Sequence, residues 1–139
     1  MAERSFLDTN LFVYSFDASA PRKKRRARQL ISNALRNRDS IISYQVVQEF
    51  LNVALRQFRV PLPTAGARSY LERVLMPLCE VFPDAQLYSE ALSIHEETGW
   101  AFYDALIVSS AVAGGCNTLL TEDLQNGRVI RGVRIHNPF

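Results

Sequence analysis

Histidine, cysteine and lysine are scarce in this 139-residue chain, and each scarcity excludes a class of chemistry. The two histidines, His95 and His136, stand far apart without ligand spacing, so a zinc site is not expected and both read as surface or boundary residues. The two cysteines, Cys79 and Cys116, form no C-x-x-C pair and sit among apolar residues, which suits reduced core thiols in a reducing compartment. No lysine follows Lys24, which removes the late lysine that a receiver domain needs. No G-x-G-x-x-G follows a strand pattern, so a dinucleotide-binding domain is not expected. No apolar run approaches the roughly 18 residues that span a bilayer. The first ten residues, MAERSFLDTN, lack the apolar stretch of a signal peptide. A soluble, cytoplasmic protein without a membrane partner is the expectation.

What is present points to one globular domain over residues 1–139. A hydrophobic fraction of 47% is ordinary for a packed core. The net charge of +2 implies no partner by itself. Its distribution says more, because Arg22, Lys23, Lys24, Arg25, Arg26 and Arg28 fall within seven residues. Such a run can contact the phosphates of RNA, but taken in isolation it reads first as a solvated helix face.

Strand and helix patterns alternate. Phe6-Leu7 reads as a first strand ending in Asp8-Thr9-Asn10, with a short helix over 11–16. Pro21 suits the first turn of a helix to Asn37, with Leu30, Ile31, Ala34 and Leu35 as its buried stripe. A strand at 40–43 precedes a helix over 44–58. Pro61 and Pro63 break the chain, and Thr64 can cap a helix reaching 78. A strand at 80–82 follows. Asp84 caps a helix to Thr98, stopped by Gly99, and a further helix covers 103–113. Strands at 118–120, 129–130 and 133–135 complete the chain. This alternation predicts an α/β sandwich with a mainly parallel central sheet.

In parallel α/β sheets ligands sit at the carboxyl ends of strands, and Asp8 and Asp123 both follow predicted strands. Asp104 opens a helix that is apolar nearly all round, where a carboxylate can serve as a cap or favour the helix dipole. Glu49 lies at the edge of the apolar face marked by Val46, Phe50, Val53 and Ala54, with Gln45, Asn52 and Arg56 on the polar side. Singly, each acid has a bland structural explanation. Together, crowded buried carboxylates with no neighbouring lysine or arginine in sequence would resist ionisation, and a hard divalent cation resolves that. Oxygen ligands suit magnesium or manganese.

In their order and local contexts these segments resemble the PIN-domain family, and within it the VapC-type toxins of toxin–antitoxin pairs. The matching stretches are Phe6-Leu7-Asp8-Thr9-Asn10, Ser43 with Val47-Gln48-Glu49-Phe50, Tyr103-Asp104-Ala105-Leu106-Ile107 and Leu120-Thr121-Glu122-Asp123-Leu124. The resemblance implies a three-layer α/β/α sandwich. It also implies a Mg2+- or Mn2+-dependent endoribonuclease leaving 5′-phosphate and 3′-hydroxyl ends. Asp8, Glu49, Asp104 and Asp123 would be the metal-binding, catalytic acids, and Thr9, Asn10 and Thr121 the polar residues orienting them. Glu122 adjoins Asp123 and competes for its role. A homodimer and a cognate antitoxin are implied as well, the antitoxin lying on the helices around 51–58 and 70–78 with their aromatics. The competing readings are a PIN module that binds nucleic acid or a partner without cutting, and an RNA-processing PIN nuclease outside a toxin–antitoxin pair. A D-x-D phosphatase is disfavoured because Asn10 occupies the third position.

Overall fold

The computed structural model describes residues 3–139. Three short apolar segments make the first parallel strands: β1 (Ser5–Leu7), β2 (Ser40–Ser43) and β3 (Cys79–Val81). Between β1 and β2 run helices α1 (Thr9–Tyr14) and α2 (Pro21–Asn37). Between β2 and β3 run α3 (Tyr44–Arg56), α4 (Thr64–Tyr70), a π-helical turn at Leu71–Leu75 and α5 (Met76–Leu78). Helices α6 (Ala85–Thr98) and α7 (Phe102–Ala113) then lead to β4 (Thr118–Leu120), and β5 (Val129–Ile130) and β6 (Val133–His136) close the sheet.

The six strands lie in the order β3-β2-β1-β4-β6-β5. Every neighbouring pair is parallel except β5 with β6. Parallel crossovers are right-handed, so a chain that builds outward from β1 on one side and then returns to its other side places its helices on opposite faces. The layers are therefore α/β/α, with α1 packed on α2 and α3, and α6 packed on α7. The reversal falls between β1 and β4, where Ser5, Phe6 and Leu7 pair with Thr118, Leu119 and Leu120. The crevice outside those strand ends is the place such sheets offer to a ligand.

Several boundaries differ from the sequence reading for identifiable reasons. Helix α1 starts at Thr9 rather than at residue 11, because the Asp8 carboxylate caps it. Helix α3 ends at Arg56 and α7 begins at Phe102. Thr64 is not a cap: the chain enters α4 from Pro63 without a side-chain bond. The expected helix over 64–78 widens into the π turn just before Pro77, whose ring crowds a carbonyl and has no N–H to offer it. Strand β3 takes in Cys79 and leaves Phe82 exposed, since Cys79 pairs with Ile42. The cap at Asp84 is present, its Oδ1 accepting the Leu87 N–H at 2.7 Å, and Gly99 stops α6 at a φ of 74°. The tight β5–β6 turn carries Arg131 and Gly132 at φ 52° and 79°, as a two-residue hairpin with a right-handed twist requires.

Phe6, Phe12 and Phe50 are fully buried in the core. Phe58 and Tyr70, expected as exposed aromatics, are half-buried in a cluster with Phe16 and Phe50, Tyr70 stacking on Phe50 at 4.9 Å. Cys79 and Cys116 are free, buried thiols, and desolvation pushes both pKa values up, that of Cys116 to about 11. His95 and His136 are exposed. No helix among the described residues is long and apolar enough to cross a membrane.

Candidate metal centre

Asp8 ends β1 and caps α1 in one stroke. Its backbone is extended (φ −75°, ψ 161°), and its Oδ1 accepts the Thr9 N–H at 2.7 Å. Its Oδ2 accepts the Thr121 hydroxyl at 2.8 Å. The Asp8 N–H in turn donates to Leu120 O at 3.1 Å, which locks the end of β1 to the end of β4. Asp8 is only 8% exposed. Burial pushes its pKa up to about 6; the bonds from Thr121 and Thr9 oppose the rise, and the charges of Asp123 and Glu49 add to it.

The other three acids reach the same crevice from different elements. Asp123 follows β4 in a loop whose N–H donates to the Thr121 hydroxyl at 3.1 Å, and its Oδ2 accepts Asn10 Nδ2 at 2.9 Å. Its pKa is raised by burial, then by Asp104 and Glu122. Glu49, in the second turn of α3, accepts the Thr9 hydroxyl at 2.7 Å. Asp104 lies in the first turn of α7, but the cap position is Ala101 and Asp104 makes no side-chain hydrogen bond among the described residues. Its pKa is raised by desolvation alone. Helix capping therefore does not account for this carboxylate.

Asp8, Glu49, Asp104 and Asp123 line one pocket of about 180 Å3, with Asn10, Val13, Val53 and Ile107 among its other walls. Thr9, Asn10 and Thr121 each donate a side-chain hydrogen bond to one of the acids. Among the described residues no lysine or arginine pairs with any of the four. Among the described residues no group of three or more histidines, cysteines, aspartates or glutamates is placed to hold a metal ion in common. The upward-shifted pKa values of Asp8, Asp104 and Asp123, with no cation beside them, are an electrostatic deficit. A hydrated magnesium or manganese ion, which keeps several waters and takes one or two direct carboxylates, suits walls of this kind.

Glu122 points away from the pocket. It accepts from the Tyr14 hydroxyl and pairs with Lys23 Nζ at 2.9 Å. Burial would raise its pKa, but the bonds from Tyr14 and Lys23 outweigh that and hold it low. Of the two neighbours, Asp123 lines the acidic pocket and Glu122 is not among its lining residues. The residues of the basic run are not equivalent. Lys23 is engaged with Glu122, Arg28 Nε donates to Ser15 O at 2.9 Å, and Arg26 Nε donates to Pro138 O at 3.2 Å. Arg22, Lys24 and Arg25 make no ion pair among the described residues, and they stand on the first turns of α2, whose Lys23 reaches the loop carrying Asp123.

The sequence reading missed Gln45 and Tyr103. Gln45 was placed on the polar side of its helix, yet it is only 8% exposed, and its Nε2 donates to Tyr103 O at 3.2 Å. Both residues line the acidic pocket. The available signal was position: Gln45 lies two residues beyond β2, at the carboxyl edge of the sheet.

Residues 5–130 match the family described as PIN domain. The chain belongs to the PIN-domain family. No curated protein matches it in sequence. Among solved structures, this PIN domain is similar to a chain of the DNA-bound VapBC complex from Salmonella typhimurium, at 18% identity, with 99% of each chain covered and a TM-score of 0.70. It is similar to a chain of a toxin–antitoxin complex from Klebsiella pneumoniae, at 17% identity, covering 97% of this chain and 98% of that one, TM-score 0.69. It is also similar to VapC20 of Mycobacterium tuberculosis, a toxin that cleaves the sarcin–ricin loop, at 20% identity, covering 94% and 98%, TM-score 0.62. At these identities the likeness concerns the PIN fold, which agrees with the sheet order and layers described above.

Proposed function

We propose that this PIN domain is a divalent-metal-dependent endoribonuclease, the toxin of a type II toxin–antitoxin pair. The observation that carries the reading is the convergence of Asp8, Glu49, Asp104 and Asp123 on one pocket at the sheet's switch point without a cationic partner. The VapC toxins and VapBC complexes among its structural relatives support the toxin assignment.

Asp8 and Asp104 would hold the metal directly, and Asp123 directly or through water. Both Asp8 oxygens are already oriented by donors, so its rotamer is fixed before any ligand arrives. A bound Mg2+ or Mn2+ supplies Lewis-acid polarisation of the scissile phosphate and a lowered pKa for coordinated water. Glu49 has one oxygen turned to Thr9 and the other available to accept a proton from an attacking water. Arg22, Lys24 and Arg25 would draw the polyanion toward an acidic pocket that otherwise repels it. A cognate antitoxin would block the site, and the toxin itself would be a homodimer.

The deciding experiment incubates purified protein with mixed RNAs, with manganese, magnesium or a chelator, and maps the product ends. Cleavage that needs the metal, leaves 5′-phosphate ends and disappears in Asp8→Asn supports the reading. Metal-independent cutting, or equal cutting by Asp8→Asn, overturns it.

A further inference from the structure

The loop from β4 to β5 carries Asp123 and contains neither helix nor strand. Its far end is pinned by the Gly127 N–H on Ile135 O at 2.8 Å and by the Asn137 N–H on Asn126 Oδ1 at 2.9 Å. Its near end is pinned by the Asp123 N–H on the Thr121 hydroxyl. The carboxylates push the other way. Asp123 shares its pocket with Asp8, Glu49 and Asp104, and like charges gathered in one pocket repel. Keeping Asp123 there calls for an anchor from the side.

Helix α1 supplies that anchor at two points. Asn10 and Tyr14 are four residues apart, so one helical turn puts them on the same face of α1. Asn10 Nδ2 donates to Asp123 Oδ2 at 2.9 Å, and the Tyr14 hydroxyl donates to Glu122 Oε1. One helix face thus grips two successive acids, one that lines the pocket and one that does not. The same helix is capped by Asp8, so the grip sets the loop against the element that also places Asp8.

Lys23 closes the outer grip. Its Nζ donates to Glu122 Oε2 at 2.9 Å and to the Tyr14 oxygen at 3.3 Å, and it lies 4.7 Å from the centre of the Tyr14 ring. Each of the three side chains touches the other two. The directions agree, since the ammonium only donates, the carboxylate only accepts and the phenol does both. The Phe139 ring packs edge-on against Tyr14 at 5.2 Å and backs the group. An ion pair as exposed as Lys23–Glu122 contributes little stability by itself. Its effect here is geometric, because three mutual contacts leave Glu122 little freedom to rotate. We propose that Tyr14, Lys23 and Glu122 form a clamp that positions Asp123 for a divalent cation. The clamp rests on the metal-dependent nuclease reading of the acidic pocket. It makes Glu122 and Lys23 positioning residues rather than a metal ligand and a phosphate contact.

The test measures Mn2+ binding to the full chain without RNA, from the electron paramagnetic resonance signal of the free ion. Tyr14→Phe keeps the ring and changes no charge. Its Kd for Mn2+ should rise ~3–10-fold, less than the ~10–100-fold that loss of a direct partner of a metal ligand costs. Lys23→Met discriminates by sign. Removing a nearby positive charge by itself strengthens the binding of a cation, whereas opening the clamp weakens it. Lys23→Met should therefore raise the Kd, and Lys23→Arg should recover most of the loss. The Tyr14→Phe/Lys23→Met double variant should bind about as well as the weaker single variant, because either change opens the same clamp. An unchanged or lowered Kd in either single variant overturns the clamp, and Mn2+ binding by the wild type then leaves the metal centre standing. A lower Tm in chelator with the Kd unmoved makes the group a structural support only and overturns it as well. A wild type that binds Mn2+ but cuts no RNA sinks the nuclease reading, and a raised Kd in the variants still upholds the clamp. A wild type that binds no Mn2+ sinks both.

Discussion

The hydroxyl of Thr121 donates to Asp8 Oδ2 at 2.8 Å and so joins residues 113 positions apart in sequence. The same oxygen accepts the Asp123 N–H at 3.1 Å, which makes Thr121 the hinge-pin between two of the acids. It is fully buried, with its own N–H on His136 O at 3.1 Å.

Replacing Thr121 with Val keeps the shape and removes the hydroxyl. On the proposed function, the expected result is a ~10–100-fold weaker response to Mn2+ or Mg2+, because a group that orients the carboxylates proposed to hold the metal is lost. Thr121→Ser should restore most of it. Metal titration of RNA cleavage in the three proteins checks this.

Asp8 titrates at about 6 in the folded chain, against an ordinary value of 3.8. The folded state therefore holds this proton more tightly than the unfolded state does. Its contribution to stability is fully present below pH 3.8 and is lost as pH rises through about 6. At neutral pH the deficit is at most ~3 kcal/mol. In chelator, Asp8→Asn should thus be more stable than the wild type by ~1–3 kcal/mol near pH 7, with the gain shrinking toward pH 4. Denaturant unfolding at the two pH values measures it, and added metal should narrow the difference by stabilising only the wild type.

Asp104 sits on α7 without a capping bond, so Asp104→Asn should leave Tm unchanged or slightly raised. Cleavage should fall by ~100-fold or more, since a charged group facing the reacting centre is neutralised. Circular dichroism with a quantitative RNA assay separates the two effects.

Within the basic run the residues should behave unequally. Arg22→Ala with Arg25→Ala should weaken RNA binding and reduce the salt dependence by about 1–2 in slope. Lys23→Ala should instead release Glu122 and Tyr14 and disturb the start of α2. Anisotropy titrations across a salt series distinguish these outcomes.

Asp8 and Asp123 stand just beyond strand ends and Asp104 in the first turn of a helix, positions that local pattern reveals, whereas Glu49, in the second turn of α3, was singled out by the resemblance to the PIN family; the structure brings all four to one pocket. In sequence only the position of the fourth acid in the PIN family favoured Asp123 over Glu122, since the physical difference lies in Lys23 and Tyr14, which reach Glu122 from α2 and α1. Gln45 was misplaced for a related reason. A helical wheel marks one buried face, but the first turn of α3 is also covered by the start of α7, which a wheel does not contain. The π turn before Pro77 was equally invisible, because helical periodicity cannot register a one-residue widening.

Asp8 serves at once as the last link of a central strand, the cap of α1 and a wall of the acidic pocket. A residue held both by its backbone N–H and by two donors to its carboxylate has almost no latitude to swing aside. Disarming such a centre by bending the backbone would dismantle the middle of the sheet. An inhibitor of such a centre would therefore act by obstruction, occupying the crevice rather than reshaping it.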